Sequence, residues 1–241
     1  MILEICASNY QSALNAEIAK ANRIELCSEL AIGGITPSYG LVKQTIDTLS
    51  IPVFILIRPR SGNFTYSEGE FNIMKHNIEL FKEMGCSGIV SGVLNKDSTI
   101  DIERTKELIE LSKPLPFTFH RAFDWTPNPF EALDQLISIG ANRVLTSGQG
   151  ASGEENINLL VELKSKAYNR ITILACGGVN STNSKTFNKH GFSEIHASAS
   201  TMLKVIEEPK VKMNSEKHFN ETLEVVSDVD NIKKIIKAIG S

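Results

Sequence analysis

The sequence predicts a (β/α)8 TIM barrel, and three observations carry that prediction. Short runs rich in Ile, Val, Leu and Phe alternate with longer segments of helical period from end to end, with no linker between them. Eight such runs, each followed by a helical segment, fill 241 residues, and barrels of this kind usually need about 250. On several runs polar residues recur two apart, which gives each strand one polar and one apolar face. A doubly wound open sheet is the alternative if the last strand fails to close the ring. The chain, 1–241, reads as one barrel domain.

The elements follow in order. ILEIC at about 2–6 is the first strand, with a helix over about 9–21; RIELC at about 23–27 is the second, with a helix over about 38–49. PVFILIR at about 52–58 forms the third, and the helix after it, about 68–84, opens on Ser67 with Glu70 at capping-box spacing and stops at Gly85. GIVSGV at about 88–93 precedes a helix over about 101–112. PFTFH at about 116–120 precedes a helix over about 128–139, which starts with Asn128 as cap, Pro129 in the first turn and Glu131 reaching back, and stops at Gly140. RVLTS at about 143–147, ITILAC at about 171–176 and EIHA at about 194–197 complete the strands, with helices over about 153–167 and 181–190. Residues 203–228 are polar and lack a clear period, so an irregular excursion is expected before a closing helix at about 229–239.

Composition narrows the function. The chain is 41% apolar with a formal charge of −3, and its charges are interspersed, which argues against a nucleic-acid partner. It has no run of 18 apolar residues, and Glu4 stands where an export signal would carry a basic residue, so no membrane span is expected and a cytoplasmic location is. Cys6, Cys27, Cys86 and Cys176 lie far apart without C-x-x-C spacing, which predicts thiols and neither a zinc ribbon nor a disulfide framework.

The polar faces supply the candidate site. Glu4-Ile5-Cys6, Glu25-Leu26-Cys27, Arg58-Pro59-Arg60, Thr118-Phe119-His120 and Glu194-Ile195-His196 repeat one plan on five strands. Ile5, Leu26, Phe119 and Ile195 would face the helices, so Glu4, Glu25, Arg58, Arg60, His120 and His196 are expected to line one cavity where barrel active sites lie. Buried carboxylates need partners, and Arg58 and Arg60 are the cations this reading offers Glu4 and Glu25; a purely structural ion-pair network is the plainer alternative. Glu70 is explained by its cap, and Cys86 by packing.

Two chemistries compete for such a cavity. Cys6 and Cys27 on neighbouring strands could converge on a soft ion, Cu(I) or Zn, with His120 or His196 as a third donor, although inward cysteines are also ordinary core residues. Arg58, Arg60 and Arg121 could instead hold a small anionic substrate while His120 or Glu25 moves a proton, and no organic cofactor is implied. The glycine loops TSGQG (146–150) and ACGGVNS (175–181), with HASAS (196–200), suit a phosphate, or simply make tight turns.

LEIC (3–6), RIELCSELAIGGITPSYG (23–40), IRPRSGNFTYSEGEF (57–71), TFHRAFD (118–124), RVLTSGQ (143–149) and EIHASAS (194–200) together resemble the copper homeostasis protein CutC family over about residues 1–200. The resemblance implies a cytoplasmic TIM barrel, commonly a homo-oligomer, concerned with copper tolerance or trafficking and able to bind Cu(I). Cys6 and Cys27 fall on the cysteines of the family's first two strands. Glu25, Arg58, Arg60, His120, Arg121, Asp124 and His196 fall on its signature positions, and Asp124 is expected to line the pocket with Glu4 and His196. Cys176 stands where the family usually has a small residue such as Gly, so it is left out of the implied metal set. No catalysed reaction comes with the resemblance.

Overall fold

Eight parallel strands form a closed ring in the computed structural model, which describes residues 1–213 and 220–240. They are β1 (Ile2–Ala7), β2 (Arg23–Leu26), β3 (Val53–Leu56), β4 (Gly88–Ser91), β5 (Phe117–Phe119), β6 (Arg143–Thr146), β7 (Thr172–Ala175) and β8 (Glu194–Ala197). β8 pairs back onto β1 with Ile2 opposite Glu194 and Glu4 opposite His196, so the ring closes and the open-sheet alternative falls. The helices between them are α1 (Tyr10–Ile18), α2 (Tyr39–Thr48), α3 (Glu68–Glu83), α4 (Ile102–Ser112), α5 (Pro129–Ser138), α6 (Ile157–Ala167) and α7 (Ser184–Lys189), with α8 (Val229–Ile239) last.

Local chemistry sets these boundaries. Ser67 accepts from the Glu70 N–H while the Glu70 carboxylate accepts from the Ser67 N–H, the reciprocal cap that starts α3. Asn128 accepts from the amides of Phe130 and Glu131, and Pro129 sits in the first turn of α5, where its missing N–H costs nothing. Alternation then sorts the strand side chains. Ile5, Leu26, Phe119 and Ile195 join the main apolar core against the helices, and their neighbours in sequence point to the barrel axis.

The stretch 203–228 is more regular than expected. β9 (Ser200–Lys204) and β10 (Leu223–Ser227) pair as antiparallel strands; the remainder of that expectation includes 214–219, outside the described residues. The pair is clasped to the barrel: Asn9 Nδ2 donates to the Val225 carbonyl, Asn15 Nδ2 to the Ser227 carbonyl, and Ser227 Oγ to the Cys6 carbonyl. Among the described residues no helix is long and apolar enough to cross a membrane.

Candidate functional site

A cavity of about 300 Å³ opens at the C-terminal ends of the strands. Cys6, Glu25 and His196 reach it from β1, β2 and β8; Arg58 and Phe64 come from the segment after β3, and His120 and Arg121 from the end of β5. The turn after β7, from Cys176 to Val179, completes the part of the wall that matters here.

Three expected members lie elsewhere. Glu4 is 1% exposed and sits below the cavity floor, where Arg23 and His196 hold it. Arg60 leaves the barrel, because the last ladder bond to β4 is made by the Ile57 N–H to the Val90 carbonyl and Pro59 has no N–H to extend it; its guanidinium pairs with Glu70 and donates to the carbonyls of Ser61, Asn63 and Thr65. Asp124 lies behind the wall, pairing with Arg121 and accepting from the amides of Ser147 and Gln149, so it props the loop after β6. The cations that balance the buried acids are also different from those expected. Arg23 bridges Glu4 and Glu194, and Arg143 also reaches Glu194 at 3.2 Å. Both guanidiniums stack over Phe54, at 4.7 and 5.0 Å. Arg23 was readable in principle: it precedes Glu25 by two and so shares its face.

Arg58 is a structural hub that still touches the cavity. It donates to the carbonyls of Ile32, Gly34 and Gly62 at 2.9, 2.7 and 2.8 Å, which ties the loops after β2 and β3 together. Its Nε has no partner among the described residues.

The thiols of Cys6 and Cys27 stand 3.7 Å apart. The hydrogen bond to Cys27 and burial raise the Cys6 pKa well above the usual thiol range. Burial alone would keep His196 neutral, but contacts with Cys6, Glu4 and Glu25 outweigh it and hold the ring protonated well above its ordinary range. Its Nδ1–H donates to Glu4 Oε1 at 2.8 Å. Burial pushes Glu25 up to about 7, against the pull of His196 and Arg23. Among the described residues the group of three potential metal ligands is Glu4, Glu25 and His196. Glu4 is already engaged on both oxygens by Arg23 and His196, so this trio balances charge and offers few free lone pairs.

His120 is in a different setting from the one expected of a third thiol-site donor or a proton carrier. It ends β5, and its Nδ1 accepts from the Ala122 N–H at 3.2 Å at the start of a short 3-10 helix, Arg121–Trp125. The proton of the neutral ring is therefore on Nε2, which has no partner among the described residues. Phe64 lies 4.8 Å from its ring. Gly92 is what lets the ring in: a Cβ there would stand 2.7 Å from Nδ1. Burial, then repulsion from Arg58, lowers its pKa to about 3, so His120 is a neutral donor.

Fold and site together define a (β/α)8 barrel whose mouth combines the Cys6 thiol, with Cys27 fully buried behind it, and an acid–imidazole network. A family model described as the CutC family matches residues 1–201. A CutC protein of Proteus mirabilis (strain HI4320) is 48% identical over 197 residues, 82% of this chain and 78% of that one. The copper homeostasis protein cutC homolog of Homo sapiens is 43% identical over 199 residues, 82% of this chain and 73% of it. The chain belongs to the CutC family. A crystal structure of a CutC protein from Streptococcus agalactiae superposes with a TM-score of 0.77 at 36% identity, over 82% of this chain and 98% of that one. The aldolase QR15, at 13% identity and a TM-score of 0.61 over 83% of this chain and 90% of that one, shares the fold alone.

Proposed function

We propose that this protein serves copper homeostasis by holding Cu(I) as cargo between Cys6 and Cys27 at the barrel mouth. The observation that carries the reading is the 3.7 Å separation of the two sulfurs. Two thiolates bound at about 2.3 Å to one ion with tetrahedral spread lie about 3.8 Å apart, so little movement is needed. Thiolate is the soft donor that selects Cu(I) over Mg or Ca, and His196 would have to give up a ring proton before it could add an imidazole nitrogen. The name of the human relative supports the same role. Binding must displace the Cys6 proton, so affinity rises with pH.

The test is Cu(I) titration against a competing chelator. Cys6→Ser with Cys27→Ser is expected to abolish tight binding while leaving the melting temperature within a few degrees, since Ser keeps the shape and loses the soft donor. Unchanged affinity in the double variant would refute the reading.

A further inference from the structure

The turn after β7 presents three consecutive backbone amides, those of Gly177, Gly178 and Val179, that donate to no acceptor among the described residues. Gly177 and Gly178 hold φ of +88° and +71°, and successive N–H groups in such a turn form an anion-binding concavity. Gly177 has a packing reason, since a Cβ there would lie 2.7 Å from Ser147 Cβ; at Gly178 the same position is open space. Arg121 lines the cavity with them, close enough to interact electrostatically with Cys176. Asp124 and Ser147 fix its Nε and one terminal nitrogen at 2.8 Å each, which leaves NH1 without a partner among the described residues.

Two further donors without partners, Arg58 Nε and His120 Nε2–H, belong to side chains that line the same cavity. Each residue is only 5% exposed, and leaving such groups unpaired is costly unless something arrives to accept from them. Glu25 Oε2 is also unpartnered on a cavity-lining side chain, but it faces His196 Nδ1 at 3.7 Å; the three amides, Arg121, Arg58 and His120 make a set of donors. The set matches an oxyanion that carries more than one charge, with a further oxygen at its other end.

We propose that the cavity binds a small phosphate monoester, its phosphate on the Gly177, Gly178 and Val179 amides beside Arg121 and its other oxygens toward His120 and Arg58. Three amides and a guanidinium suit the three terminal oxygens of a phosphate better than the two of a carboxylate. The loop after the seventh strand is also where the barrel geometry favours phosphate. A volume of about 300 Å³, at the lower end for ligand pockets, suits a small ligand. Neither thiol takes part, so the inference stands or falls apart from the copper reading.

Amide-resolved NMR of the full chain, titrated with glycerol phosphate, tests it, with glycerate as the carboxylate counterpart. Saturable shifts of the Gly177, Gly178 and Val179 amides are expected with glycerol phosphate and much weaker ones with glycerate. Arg121→Gln should weaken binding about 10- to 100-fold, while Arg60→Gln, which removes a guanidinium outside the cavity, should leave it unchanged. The wild-type shifts need no variant, so a failure of Arg121→Gln to fold does not obscure the answer. Absence of saturable shifts at these three amides would overturn the proposal, as would equal binding of glycerate or wild-type affinity in Arg121→Gln.

Discussion

Two buried groups at the cavity carry opposite pH signatures. His120, depressed from 6.5 to about 3, is protonated in the unfolded chain but not in the folded one between those values. The stability it contributes is full above 6.5 and lost as the pH falls. Glu25, raised from 4.5 to about 7, keeps a proton on folding that the unfolded chain has released. Its contribution is full below 4.5 and lost as the pH rises. Each gives a slope of about 1.4 kcal/mol per pH unit in its window, and between 4.5 and 6.5 the two slopes oppose one another. Relative to wild type, His120→Asn is expected to make stability decline with rising pH in that window, and Glu25→Gln to make it climb. Denaturant melts of the three proteins at half-unit steps check this; parallel curves would mean that neither group is shifted. These roles were only partly legible. Alternation gave the axis face for Glu4, Glu25, His120 and His196, but a face is not a depth, and parallel register decides depth. Because β1 pairs with β2 so that Glu4 lies opposite Arg23, the acid meets its cation one layer below the cavity.

At the level of elements, start and stop signals were the most readable part of the sequence, since a cap is a local hydrogen bond that needs no tertiary contact. Ser67→Ala should cost about 0.5–2 kcal/mol by removing one half of the α3 cap, and should leave cavity binding untouched. Chemical denaturation paired with the phosphate titration would separate the two effects. Arg60 marks the limit of element-level reading. Pro59 has no N–H to continue a ladder, and beyond it the side chain follows the loop rather than the strand period. The β9–β10 pair was missed for a related reason. Met202 and Leu203, adjacent on β9, are 69% and 47% exposed, so burial does not alternate along the strand and no period of two appears in the sequence. Asn9→Ala removes both the α1 cap and the bond to the Val225 carbonyl. Faster amide exchange in β10 than in β4 is its expected signature; unchanged exchange in β10 would show that the clasp is not held there.

Across the whole molecule, the closed ring contains charge where many barrels contain only aliphatic filler. Arg23 is the central tie, with side-chain exposure of 6% and carboxylates of Glu4 and Glu194 on either side. Arg23→Met is expected to destabilise the fold by about 3–5 kcal/mol, because two buried acids lose their shared cation. Adding Glu4→Gln and Glu194→Gln should restore much of that loss, and urea melts of the single and triple variants check both. No recovery in the triple variant would assign the loss to packing against Phe54 instead of to charge.

The aromatic contact behind His120 has an optical consequence. Trp125 is the only tryptophan in the chain, and its indole stands edge-on to Phe64 at 4.9 Å, while Phe64 lies 4.8 Å from the His120 ring on its other contact. Half of the indole is exposed, so its emission is sensitive to small changes of hydration. An occupant that moves Phe64 will therefore alter the protein's intrinsic fluorescence without any label. Cargo held at the thiols, farther along β1 and β2, should quench or shift that emission much less than a ligand seated against His120. A single emission spectrum thus distinguishes which end of the cavity is filled.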